Sequence, residues 1–223
     1  MRLGKISILL VILLAGTPTY SQDMKRYEFE SAYAEKTSTT NSTGVEVTKT
    51  EKIYIAEFGK KEAHYISEKR NISLMGNNQV KESKSVSIIE GEWMITYDPD
   101  KKTGTKMKNP FYDAFKDKSE AEMQKFAEQM GKAMNTEVKE TGTEEVSGKT
   151  CKVNEAVTDM MGMKTTTKTW MYKNFVMKIQ SDGMGSKVNE IVTKLDLGAK
   201  IDSKKLSVPS DVNITEMQMP GRK

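Results

Sequence analysis

The stretch V-E-V-T-K-T-E-K-I-Y-I-A-E-F, residues 45–58, alternates apolar and polar side chains along most of its length. Side chains in a strand alternate with a period of two, so Ile53 and Ile55 fall on one face and Tyr54 and Phe58 on the other. G-K-K at 59–61 then reads as a hairpin turn, and A-H-Y-I-S-E-K-R carries the chain back. This stretch makes the fold a sheet of antiparallel hairpins with apolar residues on both faces.

The same chemistry extends in both directions. Before it, K-R-Y-E-F-E-S-A-Y predicts a strand with Tyr27, Phe29 and Tyr33 on one face and Glu28 and Glu30 on the other. After it, Gly76-Asn77-Asn78 marks a turn before the strand K-S-V-S-I-I at 84–89. E-W-M-I-T-Y predicts a strand with Trp93, Ile95 and Tyr97 on one side. D-P-D-K-K-T-G at 98–104 is a turn, where Pro99 presets φ and Gly104 can take φ > 0, and T-K-M-K pairs back.

At Asn109 the period changes. Met123, Phe126, Ala127, Met130 and Met134 follow helical spacing and form one stripe, Ser119 with Glu122 fits a capping box, and Pro110 suits the first turn of a short helix carrying Phe111 and Phe115. From Thr136 strands return. E-V-S-G-K-T-C-K-V-N-E-A-V-T predicts a hairpin turning near Gly148, and K-T-T-T-K-T-W-M-Y with F-V-M-K-I-Q-S another, joined at 172–174. Residues 188–197 form a further strand, and K-L-S-V-P-S-D-V-N-I-T-E-M closes the chain. The prediction is therefore α+β: a curved antiparallel sheet covered on its apolar face by a helical insertion at about 110–134.

Between two of these strands stands T-D-M-M-G-M-K-T. Thioethers suit Cu(I), so Met160, Met161 and Met163 form a minor metal candidate. The residues also fit a hairpin tip with Gly162 at the bend. Methionine equally lines adaptable apolar pockets. The expected cavity or lid residues are Trp93, Phe111, Phe115, Met123, Phe126, Met130, Met134, Trp170 and Met177, with plain core packing as the alternative for each.

The ends and the composition set the address. Arg2 and Lys5, then the apolar run 6–15, then Thr19 and Ser21 at −3 and −1 of a cut before Gln22, read as a signal peptide over residues 1–21. No cysteine follows that run, so no lipid anchor is expected. Residues 22–223 then form one domain, exported, with no membrane span, and placed in the periplasm or outside the cell. Of the 223 residues 30% are charged, with both signs interspersed, which leaves no basic stripe for nucleic acid. The single cysteine, Cys151, excludes an internal disulfide and reads as a buried, inert thiol. His64 is the only histidine, and no nucleophile or acid–base pair is assembled around it, so no enzyme and no cofactor are expected.

The W-M-I-T-Y-D-P-D-K-K-T-G hairpin with helices straight after it, the G-K-T-C-K-V strand, the W-M-Y-K-N-F-V-M-K-I hairpin and the closing V-P-S-D-V-N-I-T-E-M together resemble the lipoprotein-carrier fold. That superfamily holds the LolA/LolB carriers, RseB and the LppX-type lipid-binding proteins. The likeness is nearest to exported LolA-like proteins of the Bacteroidetes and spans nearly the whole mature chain. It implies an incomplete β-barrel wrapped around helices, with an apolar cavity for a lipid or an acylated ligand. The RseB likeness implies an alternative, an envelope sensor that binds another protein. The arginine with which the carriers hold their lid has no counterpart in a recognisable motif, since Arg26 and Arg70 lie in early strands.

Overall fold

A computed structural model describes residues 25–74, 77–109, 112, 118–160 and 162–217. The signal segment 1–21, Phe111, Phe115 and Met161 lie outside the described residues, as do the side chains of Met123 and Met160.

Twelve strands follow one another: β1 Ala32–Ser42, β2 Val45–Ala56, β3 Lys61–Leu74, β4 Asn77–Glu90, β5 Trp93–Asp98 and β6 Thr103–Lys108 precede a helix, α1 Glu120–Ala133. After it come β7 Thr136–Val146, β8 Lys149–Met160, β9 Met163–Tyr172, β10 Phe175–Gly183, β11 Ser186–Leu197 and β12 Asn213–Glu216. They form one large, open, curved sheet in the order β12-β6-β5-β4-β3-β2-β1-β11-β10-β9-β8-β7. Every neighbouring pair is antiparallel except β12 with β6. No described helix is long and apolar enough to cross a membrane.

The hairpins close with the turn chemistry that a twisted sheet demands. Ser147–Gly148, Lys173–Asn174 and Met184–Gly185 each place both loop residues at positive φ, the geometry whose twist matches the flanking strands. Two expected turns differ in detail. The turn after β2 is a 3-10 turn over Glu57–Gly59, with Glu57 and Phe58 as well as Gly59 at positive φ. In the β5–β6 hairpin, Lys102 takes the positive φ and Gly104 lies inside β6. There a Cβ would stand 2.5 Å from the Thr96 carbonyl oxygen, so the glycine is needed for close approach and not for the turn. Asn77 and Asn78, read as turn residues, already belong to β4.

The predicted strand over Tyr27–Tyr33 breaks before Ala32. Residues 26–30 are bent, and Tyr27 and Phe29 stack with ring centroids 5.1 Å apart, both meeting Phe175 edge-on. Tyr33, within β1, turns to the opposite face and packs on Tyr54. Three aromatic rings gathered over a cluster offset more exposed apolar area than a straight strand would.

Two apolar clusters result, on opposite faces. Ala32 pairs with Ile55 and Ala34 with Ile53, and these four join Tyr27, Phe29, Cys151, Val153, Trp170, Phe175, Met177 and Val192 in the main cluster. Ala63 pairs with Tyr54, hence on the other face, and joins Val86, Ile88 and Tyr97 beneath the C-terminal Leu206, Val208, Val212 and Ile214. Sequence analysis assigns the covering of the sheet to the Met/Phe helix. In the structure the described covering comes from residues 26–29 on one face and 206–214 on the other, while α1 packs along the edge strand β7.

The sheet curls tightly around the main cluster. A bulge between β1 and β11 skips Thr193, with Glu35 opposite Lys194 and Lys36 opposite Val192. The carbonyl of Val192 accepts a hydrogen bond from Ser147 Oγ at 2.6 Å. Ser147 belongs to the β7–β8 turn, although three strands separate β11 from β7 in the sheet. A bulge sharpens twist and bend, and here it lets one end of the sheet roll back onto the cluster.

Candidate functional site

The expected cavity residues fall in three places. Trp170 and Met177 come together, fully buried in the main cluster, and Trp170 Nε1 donates to Glu144 Oε2 at 2.9 Å. Trp93 is half-buried at the start of β5, with Lys106 Nζ 3.7 Å from its ring centroid. On α1, whose Ser119–Glu122 capping box is present as expected, Met130 and Met134 are half-buried while Phe126 is 39% exposed.

The methionine stretch is a hairpin. Met160 pairs with Met163 across a two-residue turn, Gly162 sits at φ +80°, and its N–H donates to Asp159 Oδ1 at 2.9 Å. Met163 is exposed. Cys151 is buried, its Sγ donates to the Lys149 carbonyl at 3.3 Å, and burial pushes its thiol pKa up, all of which suit an inert packing residue.

Sequence reasoning missed the most developed polar group among the described residues. It lies beside the main cluster, on the face of β1–β3 that carries Ile53 and Ile55, because Ile53 pairs with His64 and Ile55 with Glu62. Arg26 Nη1 meets Glu62 Oε2 at 2.5 Å, and the Tyr27 hydroxyl donates to the same carboxylate at 3.1 Å. Glu62 Oε1 lies 2.7 Å from His64 Nε2, and His64 Nδ1 lies 2.5 Å from Glu51 Oε1. Glu51 Oε2 then meets Lys36 Nζ at 2.7 Å, and Lys36 reaches Glu190 at 3.1 Å. Charges alternate along the whole chain of contacts, from the N-terminal segment to β11.

Its electrostatics follow from that alternation. Burial by itself depresses the His64 imidazolium, but the charges and hydrogen bonds of Glu62 and Glu51 outweigh it and push the pKa to about 9. Burial by itself raises Glu62, but Arg26 and His64 hold it down at about 2. Glu51 is held at about 2 in the same way, against burial, by His64 and Lys36. His64 is thus a doubly donating cation between two carboxylates. With both ring nitrogens of His64 engaged by carboxylates, and with Arg26 and Tyr27 on Glu62, the arrangement fastens residues 26–27 to β3.

No family model matches this chain, and no curated protein is similar to it in sequence. Among solved structures, the fold is similar to an uncharacterized conserved protein from Thermus thermophilus, with TM-score 0.49 and 8% identity over 94% of this chain and 99% of that one. It is also similar to the MucA/MucB complex of Pseudomonas aeruginosa, with TM-score 0.44 and 11% identity over 93% of this chain and 62% of that chain. A putative outer membrane lipoprotein-sorting protein domain from Vibrio parahaemolyticus matches with TM-score 0.33 and 9% identity, over 79% of this chain and 89% of that one. The chain spans about three fifths of the MucB-complex chain it matches.

Proposed function

We propose that this is an exported, non-enzymatic binding protein of the periplasm. In this reading the sheet is an incomplete barrel, and the insertion at 110–134 closes it over an apolar cavity for a lipid or the acyl chain of a lipidated ligand. The observation that carries the reading is topological. β6 lies next to one end of the sheet and β7 is the other end, so the connection between them has to pass from end to end. Ten strand spacings amount to about 48 Å if flat, of which a helix the length of α1 covers about 21 Å. A curled sheet shortens that path and brings the insertion over its opening. That crossing segment carries the methionine stripe, and Phe126 keeps an exposed ring on it. Exposed Val138 on β7 and Met163 at the β8–β9 tip add apolar surface in the region where Asp159 N–H bonds the Asn135 carbonyl just after α1.

The test is native mass spectrometry of the chain from residue 22, followed by organic extraction and lipid analysis. Adducts of lipid mass are expected, and Phe126→Glu is expected to abolish them while the sheet's circular dichroism persists. A clean mass for the wild type after incubation with lipid overturns the cavity. The second reading is then an envelope protein-interaction module, which the solid packing of Tyr27, Phe29 and Phe175 at the heart of the main cluster favours.

A further inference from the structure

The geometry points to a second binding site, for an acidic saccharide, on the face of β1–β4 opposite the buried charge chain. The register sets its rows. Tyr33 pairs with Tyr54, Glu35 with Lys52 and Thr37 with Thr50 across β1 and β2; Lys52 pairs with Tyr65 and Thr50 with Ser67 across β2 and β3. Three tyrosines, Lys52 and Glu35 thus stand above a row of hydroxyls. A groove of about 380 Å³ runs over them, lined by Lys52, Lys205, Tyr54 and Tyr65 and also by Glu35 and Glu51, the latter held on the opposite face by His64 and Lys36.

Lys205 reaches the groove from outside the main strands. It lies in the 3-10 turn Ser203–Leu206, whose place is set by the Tyr65 hydroxyl donating to the Lys205 carbonyl at 3.1 Å. Its Nζ stands 5.6 Å from the Tyr65 ring centroid and 5.9 Å from that of Tyr54. Neither Lys52 nor Lys205 has a carboxylate within ion-pair distance among the described residues. Glu35, the natural partner of Lys52, instead accepts from the Tyr33 hydroxyl at 2.8 Å.

Each ligand class asks for a different set of groups, and this groove offers one set. At this concave surface Lys52 and Lys205 stand outside ion pairs among the described residues, while the Glu35 carboxylate is taken up by the Tyr33 hydroxyl, and such ammonium groups attract an anion. Tyrosine rings present an apolar body with a polar tip, which suits the C–H face and the hydroxyls of a pyranose. The threonine and serine hydroxyls both donate and accept, as sugar hydroxyls require. An acyl chain would leave that hydroxyl row without partners, and a bare anion has no use for the rings. A sugar bearing a carboxylate or a phosphate uses all three features. The groove and the helical insertion are separate places, so this site stands or falls independently of the lipid reading.

The experiment is isothermal titration of the chain from residue 22 at low salt. The probes are trigalacturonic acid and glucose 6-phosphate, set against the methyl-esterified trimer, glucose, inorganic phosphate and triglutamate. At least one acidic sugar is expected to bind with a Kd below about 1 mM, at least about tenfold tighter than its neutral counterpart. Lys52→Ala and Lys205→Ala are each expected to weaken it about fivefold or more with an unchanged melting temperature. Which acidic sugar binds separates the carboxylate source from the phosphate source. Failure of both, equal binding of the neutral sugars, wild-type affinity in both lysine variants, or inorganic phosphate or triglutamate binding as tightly as the sugar each overturns the assignment.

Discussion

Alternate residues of β1, β2 and β3 send charges to opposite faces, and the two sets have opposite fates. On the inner face Lys36, Glu51, Glu62 and His64 are each in contact with opposite charge, and the Glu62 side chain is 2% exposed. On the outer face, one residue along the same strands, Lys52 stands between Glu35 and Tyr65 with no ion pair among the described residues. The inner set is closed on itself, and removing a member leaves a buried charge behind. The outer set is open, and removing a member leaves solvent. Charge in a sheet therefore says little until its face and partners are known.

Four measurements sharpen that contrast or break it. The largest effect belongs to Glu62→Ala, which removes the buried carboxylate shared by Arg26, Tyr27 and His64 and is expected to cost about 3–5 kcal/mol in urea unfolding. A loss near the surface range would mean that the inner chain is not a unit. The next is pH dependence. His64 has a folded pKa of about 9 against an ordinary 6.5, so its stabilising share is full below pH 6.5 and is lost as pH climbs through 9. Glu51 and Glu62, held at about 2 from an ordinary 4.5, give a share that is full above pH 4.5 and lost as pH falls through 2. Unfolding free energy is expected to plateau near pH 5–6 and to fall by about 3 kcal/mol toward pH 9. In His64→Gln that alkaline slope disappears, and a slope that survives would place the titration elsewhere.

A third variant tests how the N-terminal segment is seated. Gly59 sits at φ +88°, and a Cβ there would stand 2.8 Å from Arg26 Cβ and from the Tyr27 ring. Gly59→Ala is expected to cost about 1–3 kcal/mol, and to weaken the pH dependence if Arg26 and Tyr27 are displaced. The smallest effect is Lys52→Ala, expected within about 0.5 kcal/mol of wild type in the same unfolding measurement. A larger loss would make the outer face structural too and remove the contrast.

Much of this was legible in the sequence, and the rest had specific causes. The hairpin at Gly148, the Met160–Met163 hairpin, the turn at 173–174 and the capping box at Ser119 all depend on neighbours within a few residues, and each stands where local pattern places it. The break before Ala32 was not legible, because K-R-Y-E-F-E-S-A-Y alternates as a strand would, and only docking on Phe175 bends it. The charge chain carried a faint signal. A hairpin turning at 57–60 sets Glu62 opposite Ile55 and His64 opposite Ile53, so two polar residues were due on an apolar face. Glu190 could not be added, because β1–β11 pairing joins residues more than 140 positions apart, and Arg26 could not, because it reaches Glu62 from the bent segment that read as a strand.

Strand period, turn chemistry, the helix cap, one unpaired cysteine and the signal-peptide pattern are properties of short windows, and the sequence by itself determined them. Tertiary structure alone decided which strands meet, that β7 and β12 are the sheet's ends, that Lys205 arrives over Tyr65, and which charges close on themselves. The reason is physical: local preference is set by neighbouring backbone and side chains, whereas burial and ion pairing depend on segments brought together by the whole sheet, whose pairings no short window contains.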